Sequence, residues 1–242
     1  MIKSDIDFSK ITPAIIAGGL GTRLRTVVAD RPKVMAEIHG RPFLSYLLDQ
    51  LLSAGFRSAI LCTGYRGEQI ADVFGNRYRD LQLTYSLESH PLGTAGALRL
   101  ALPQLVSNPV LVMNGDSYCH ANLQIFGQWY RERGHQAAIL LTQVADSRRY
   151  GSVKLADDGS VIEFGEKLAE QKSNWINAGI YLINPAMISS IPVDRSVSLE
   201  YDVFPGLVGQ GLSGYRSDGR FLDIGTADDF EKAQEFFAPL AV

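Results

Sequence analysis

The sequence predicts an α/β fold: a three-layer αβα sandwich around a mostly parallel sheet. Three observations carry that expectation. Short apolar runs alternate with segments of helical periodicity through the first 145 residues. Short links join them, which is the rhythm of a parallel sheet covered on both faces. The first apolar run, Pro13–Ala17, ends directly in Gly18-Gly19-Leu20-Gly21. After Ala145 the rhythm changes to strands alternating around Asp157-Asp158-Gly159, a hairpin signature.

In chain order, Pro13–Ala17 is continuous, apolar and bounded by turn signals, hence a fully buried strand. Pro42 suits a first helical turn. Phe43, Leu47, Leu48, Leu51 and Leu52 follow it at helical spacing, and Gly55 closes the helix. Ser58–Thr63 is the next strand, then Gly64-Tyr65-Arg66-Gly67 leads into a helix ending near Phe74. Leu81–Leu87 is a strand, Gly93–Leu102 a helix ended by Pro103, and Pro109–Met113 a strand running into Asn114-Gly115-Asp116. Leu123–Arg133 is an amphipathic helix closed by Gly134, and Gln136–Gln143 a strand. Gly151–Leu155 and Val161–Glu166 form the hairpin, and Trp175–Ile183 is a further strand. Ser198–Val208 reads as a helix, Phe221–Ile224 as a short strand, and Thr226–Phe237 as a helix capped by Thr226. There is no linker and no internal repeat, so the expectation is one domain over residues 1–242, its second part packed as a lobe on the first. In parallel sheets ligands bind beyond the carboxyl ends of the strands. The glycine loop and Asp116 both follow strands, so both should face that crevice.

Composition narrows the function classes. Of 242 residues, 46% are hydrophobic and 20% charged, with a net charge of −3, which argues against a general nucleic-acid binder. Cationic residues in the glycine loop are therefore a local feature. Cys62 and Cys119 form no Cys-x-x-Cys pair and lie in or beside apolar runs, so buried free thiols are expected. No signal-peptide core is present and no apolar run approaches the roughly 18 residues of a membrane span, so a soluble, cytoplasmic protein without membrane contact is expected. The histidines lack His-x-x-x-His spacing, against a transition-metal site, and no Gly-x-Ser-x-Gly elbow supports a serine hydrolase.

The glycine loop admits two readings. Glycines let a ligand approach the main chain, and successive N–H groups in such a turn form an anion cradle. Thr22 adds a hydroxyl, and Arg23, Arg25, Arg31 and Lys33 add positive charge, opposed before Glu37 only by Asp30. That suits a nucleoside triphosphate; the alternative is a tight turn with solvated arginines. The dinucleotide fingerprint wants glycine where Leu24 stands, and the P-loop wants a Gly-Lys-Ser or Gly-Lys-Thr triplet that is absent. Asp116, kept on a thin backbone by Gly115, reads as a Mg²⁺ ligand or a helix N-cap. Asp223 is a lone acid in the apolar run Phe221–Ile224 and needs a partner, either a metal or a basic residue such as Arg220. Glu166 and Lys167 suit the hydroxyls and phosphate of a second substrate, or a solvated strand end. Asn177-Ala178-Gly179 suits a sugar wall or a bulge.

Together these residues resemble the nucleotidyltransferases that make nucleotide sugars from a sugar 1-phosphate and a nucleoside triphosphate. The likeness spans Pro13 to Phe237. It rests on Gly18 to Leu24, Pro32-Lys33, Pro91-Leu92-Gly93-Thr94-Ala95-Gly96, Asn114-Gly115-Asp116, Glu166-Lys167, Asn177-Ala178-Gly179 and Asp223-Ile224-Gly225. Arg149-Tyr150-Gly151-Ser152-Val153, Ile176-Asn177-Ala178-Gly179-Ile180-Tyr181 and Phe221 to Gly225 carry a closer likeness to the D-glycero-D-manno-heptose 1-phosphate guanylyltransferases, with the mannose 1-phosphate enzymes as neighbours. The resemblance implies a Rossmann-like mixed sheet, with residues 1–145 as the nucleotide-binding half and 146–242 as the sugar-binding half. It implies transfer of GMP from GTP to the sugar phosphate, or use of UTP or dTTP by the same chemistry. Ala17, Gly18, Gly19, Gly21, Thr22 and Arg23 should bind the triphosphate, and Lys33 should sit near the reacting phosphate. Glu88, Gly93 and Thr94 should lie on the nucleoside. Asp116 and Asp223 should share Mg²⁺, and Asn114, Gly151, Glu166, Lys167 and Asn177 should take the sugar phosphate. Arg23, Lys33, Asp116 and Asp223 are the implied catalytic set, and a homo-oligomer is compatible with the family. Two rival readings remain: a non-catalytic nucleotide-sugar sensor, and a glycosyltransferase, whose usual Asp-x-Asp is missing in Asp116-Ser117-Tyr118.

Overall fold

The computed structural model describes residues 11–19, 21, 30–144, 146–147, 149–165 and 173–238. Thr22, Arg23, Glu166 and Lys167 lie outside them. The strands are β1 (Ala14–Ala17), β2 (Glu37–Ile38), β3 (Arg41–Pro42), β4 (Ser58–Thr63), β5 (Arg77–Tyr78), β6 (Leu81–Leu87) and β7 (Val110–Asn114). There follow β8 (Ser117–Cys119), β9 (Ala137–Gln143), β10 (Ser152–Leu155), β11 (Val161–Gly165), β12 (Trp175–Ile183), β13 (Leu212–Arg216) and β14 (Phe221–Asp223). The α-helices are α1 (Phe43–Ser53), α2 (Gly67–Phe74), α3 (Gly93–Ala101), α4 (Leu123–Arg133), α5 (Pro185–Ser190), α6 (Phe204–Leu207) and α7 (Ala227–Phe236).

The central sheet is mixed. Its first half is parallel: β7, β1, β4 and β6 run side by side, with Ile16 aligned to Cys62 on one flank and to Asn114 on the other. Its second half turns antiparallel at β12, which pairs with β7 and β9, while β13 lies parallel to β9 and the β10–β11 hairpin joins β12 through Ser152 and Ile176. Alternate residues feed two cores. Ile15 packs with Phe43, Leu47 and Leu51 of α1 and Phe126 of α4, and Ala14 with Leu98 of α3, Ile188 of α5 and Phe204 of α6. These are the two outer layers of the sandwich. Each fully buried side chain of that size contributes about 1.5–3 kcal/mol. A smaller sheet, β8 with β14, sets Asp223 opposite Ser117 and so carries the C-terminal part of the chain back to the end of β7.

Several expectations need correction. Pro42 precedes α1 rather than opening it, and Pro103 sits inside a 3₁₀ turn, Leu102–Gln104, that prolongs α3. Asp116 is no N-cap: Asn122 caps α4, accepting from the N–H groups of Gln124 and Ile125 at 3.0 Å. The single helix expected over 198–208 is a π-helical turn, Leu199–Val203, followed by α6. Neither α5 nor β13 was expected. α5 has only six residues, started by the Asn184 cap and Pro185. β13 carries Gly214 at its centre, where a Cβ would come within 2.6 Å of Leu155 and 2.7 Å of Leu141, so close packing and not apolar alternation defines it. Cys62 and Cys119 are buried free thiols, and burial pushes both up to about 12. Among the described residues no helix is long and apolar enough to cross a membrane.

Candidate functional site

A cavity of about 580 Å³ opens at the carboxyl ends of β1 and β7. On one side stand Ala17, Gly19, Gly21 and Thr94; on the other, Asn114, Gly151 and Asn177; between them, Lys33, Asp116 and Asp223. Gly18, Glu88 and Gly93 stand next to this lining rather than in it. A Cβ on Gly18 would come within 2.7 Å of Glu88 Oε1, and one on Gly64 within 2.5 Å. The carboxylate thus lies in a slot that only glycines leave open. Leu92 N–H donates to Glu88 Oε2 at 3.1 Å, while burial outweighs that bond and holds the acid above the usual carboxylate range. Gly93 has φ +72° and presses on Val197, whose carbonyl oxygen a Cβ would meet at 2.5 Å. The close packing at Gly93 is therefore against the chain itself.

Asp116 reaches the cavity through Gly115, whose N–H donates to Ile16 O at 2.8 Å. A Cβ there would lie 2.5 Å from the same oxygen. Lys33 follows Pro32 in a short 3₁₀ turn, and its stem passes under Gly21. Its Nζ donates to Asp116 Oδ2 at 2.8 Å, with the lysine side chain only 9% exposed. Asp223 arrives from β14, and the neighbouring Ile224 N–H donates to Asp116 O at 3.0 Å. Residues 107 positions apart in the chain are thereby locked together. Burial, and then the charge of Asp116, push Asp223 up to about 6, against the opposing pull of Lys33 and the Gly225 N–H. Arg220 does not pair with it: that guanidinium lies over the Phe236 ring, 4.3 Å from its centre. Two acids, oxygen donors only, beside one lysine suit a hard divalent cation, which takes one or two protein carboxylates. Among the described residues no group of three or more His, Cys, Asp or Glu side chains that could hold a metal exists, here or elsewhere; the two acids stand as a pair.

On the opposite wall, Asn177 N–H donates to Gly151 O at 2.8 Å and its Oδ1 accepts from Gly179 N–H at 2.9 Å. Gly179, at φ +73°, makes room for Ser117, whose Oγ a Cβ would meet at 2.5 Å, and β12 shifts register against β9 here. Asn114 Oδ1 is buried without a hydrogen-bond partner among the described residues. Thr94 Oγ1 donates to Glu200 Oε2 at 2.7 Å. Glu200, Tyr201, Arg149, Tyr150 and Thr226 also line the cavity and were not singled out as site residues. Arg149 makes a two-pronged pair with Asp229, which Thr226 Oγ1 also reaches at 2.6 Å. Burial pushes Asp229 upward, but Arg149 and Thr226 outweigh it and hold the acid below its usual range. The sequence signal for Glu200 was an acid between Leu199 and Tyr201, the same kind of signal that marked Asp223.

A family model described as nucleotidyl transferase matches residues 12–239. The D-glycero-alpha-D-manno-heptose 1-phosphate guanylyltransferase of Aneurinibacillus thermoaerophilus is 36% identical over 222 residues, 91% of this chain and 96% of its own. The mannose-1-phosphate guanylyltransferase catalytic subunit beta of Drosophila pseudoobscura pseudoobscura is 38% identical over 89% of this chain, which spans 59% of that protein's length. Among solved structures, HddC from Yersinia pseudotuberculosis superposes with a TM-score of 0.84 at 33% identity, covering 94% of this chain and 99% of its own. The same protein complexed with GMP-PN gives 0.82 at 32% identity, with the same coverage.

Proposed function

The chain belongs to the nucleotidyl transferase family, and from that premise we propose that it transfers GMP from GTP to a sugar 1-phosphate, releasing pyrophosphate. D-glycero-α-D-manno-heptose 1-phosphate is the favoured acceptor, on the relative matched over nearly its whole length. Mannose 1-phosphate is the second reading, favoured by the 38% identity to a mannose enzyme. The observation that carries the proposal is the meeting of Asp116, Asp223 and Lys33 on one cavity, between a glycine-lined wall and a wall of amides.

In this reading the halves 1–145 and 146–242 divide the labour. Ala17, Gly18, Gly19, Gly21, Thr22, Arg23 and Thr94 receive the nucleotide, with Glu88 reading the base. A carboxylate at Glu88 accepts from the ring N–H and exocyclic amine of guanine together, a pairing that uracil and thymine, with one ring N–H, do not offer. Asn114, Gly151, Glu166, Lys167 and Asn177 receive the sugar phosphate. A phosphate oxygen of the sugar 1-phosphate attacks the α-phosphorus of GTP. The new P–O bond forms as the bond to the β-phosphate oxygen breaks, and pyrophosphate leaves with the electron pair. The attacking oxygen is already anionic near neutral pH, so no general base is needed. Catalysis is alignment of two anions and screening of their charge. Lys33 does this at the α-phosphate, Arg23 at the departing phosphates and Lys167 at the sugar phosphate. Asp116 and Asp223 would hold Mg²⁺, which when bound supplies Lewis-acid charge neutralisation. The test is a matrix of four nucleoside triphosphates against several sugar 1-phosphates, read by Mg²⁺-dependent pyrophosphate release. GTP with the heptose phosphate should lead; release with no sugar phosphate would refute the proposal.

A further inference from the structure

Glu200 is only 9% exposed, yet it borders the cavity. It stands on the π-helical turn, a wide turn that often marks functional positions. Ser198 fixes that turn: its Oγ accepts from Glu200 N–H at 3.1 Å and donates to Glu200 Oε2 at 2.8 Å. Thr94 Oγ1, which accepts from Leu199 N–H at 2.7 Å, donates to the same Oε2 at 2.7 Å. Tyr181 OH donates to Oε1 at 3.0 Å, and Asn114 Nδ2 reaches that oxygen at 3.5 Å. The Tyr181 hydroxyl in turn accepts from Asn114 at 3.2 Å and from Asn177 at 2.9 Å. A carboxylate has about four acceptor directions, and four donors of the chain already point at this one.

We infer that Glu200 is a positioning residue that ties the two substrate walls together. Its anion holds Thr94 on the nucleotide wall. Through the Tyr181 hydroxyl it holds the amides of Asn114 and Asn177 on the sugar wall. It does not itself take up a substrate hydroxyl. Each donor loses its orientation if the hub is neutralised, because a neutral amide at this place must donate on one side. The coupling also gives the amides a fixed sense: both donate to Tyr181, which turns the Asn177 oxygen toward Gly179 N–H and leaves the Asn114 oxygen buried without a hydrogen-bond partner among the described residues.

This inference rests on the proposed guanylyl transfer, and its test separates the two. Wild-type pyrophosphate release is measured first; without it both fall. With it, steady-state constants are compared for Tyr181→Phe, Glu200→Gln and the double variant, alongside Tm. Tyr181→Phe keeps the ring that packs on Phe204 at 5.0 Å, so folding is preserved. It should raise the KM for sugar 1-phosphate about tenfold and leave the KM for GTP within about twofold. Glu200→Gln should raise both KM values, and the double variant should be no worse than Glu200→Gln alone. A wild-type sugar KM in Tyr181→Phe, losses that multiply in the double variant, or a fall in Tm with unchanged kinetic constants would each overturn the positioning role.

Discussion

The two walls of the cavity are made of different material. The wall proposed for the nucleotide is main chain: Gly19 and Gly21 line it, and Gly18 and Gly64 stand behind, with the Glu88 carboxylate lodged where the side chains of those two would be. The wall proposed for the sugar is side chain: Asn114 and Asn177 held by Tyr181 and Glu200. A wall of close-packed backbone fails when atoms are added. A wall of amides and hydroxyls distinguishes one sugar from another, and it fails when atoms are removed. Between them lies a seam of charge, Asp116, Asp223 and Lys33, which belongs to neither.

The largest effect should come at the seam. Asp223→Asn should lower Mg²⁺-dependent turnover on the order of a thousandfold, measured by pyrophosphate release, while the fold survives. Without metal the same change should stabilise. The folded acid titrates at about 6, above the roughly 3.9 of an unfolded chain. The folded state therefore binds more protons between those values, and stability falls as pH rises through that window. Asn removes that slope, so Tm of the metal-free variant should exceed wild type above pH 6, seen by thermal melts across pH.

Next comes Gly115→Ala, where the added Cβ would meet a backbone oxygen at 2.5 Å. The strand end must move, carrying Asp116 with it, so kcat should fall about a hundredfold with a lowered Tm. Gly64→Ala sharpens the contrast between walls. Its Cβ would collide with the Glu88 carboxylate at 2.5 Å, so the KM for GTP should rise about tenfold with the sugar KM unmoved. Equal changes in both KM values would dissolve the distinction. The smallest effect on chemistry should be that of Arg149→Ala, which frees the 4%-exposed Asp229 of its cation. It should cost about 1–3 kcal/mol of stability near pH 7 in denaturant titrations. Because Asp229 is held below its usual range, that loss should shrink as pH falls below about 4 and the acid takes up its proton in either state.

The first half of the chain was legible because its signals are local. Ser58–Thr63, Leu81–Leu87 and Leu123–Arg133 were bounded in the sequence by the same residues that bound them in the fold, since each ends at its own turn or glycine. In the second half, partners decide. Leu212–Arg216 becomes a strand because β9 offers an edge 75 positions earlier and Gly214 fits beneath two leucines. Asp116 and Asp223 were conspicuous as acids in apolar surroundings. Glu200 sends the same signal, but its meaning depends on donors at 94, 114, 181 and 198, which only folding assembles. The roles given to Arg23 and Lys167 stand on the charge pattern of the sequence and on the resemblance.

The most direct test follows one phosphorus atom. GTP labelled at the α-phosphate, incubated with Mg²⁺ and the heptose 1-phosphate, should pass its label into a GDP-sugar, while a γ-label leaves as pyrophosphate. Label recovered as free GMP or GDP, or a γ-label recovered as inorganic phosphate in the absence of any pyrophosphatase, would mean that water and not the sugar phosphate is the acceptor.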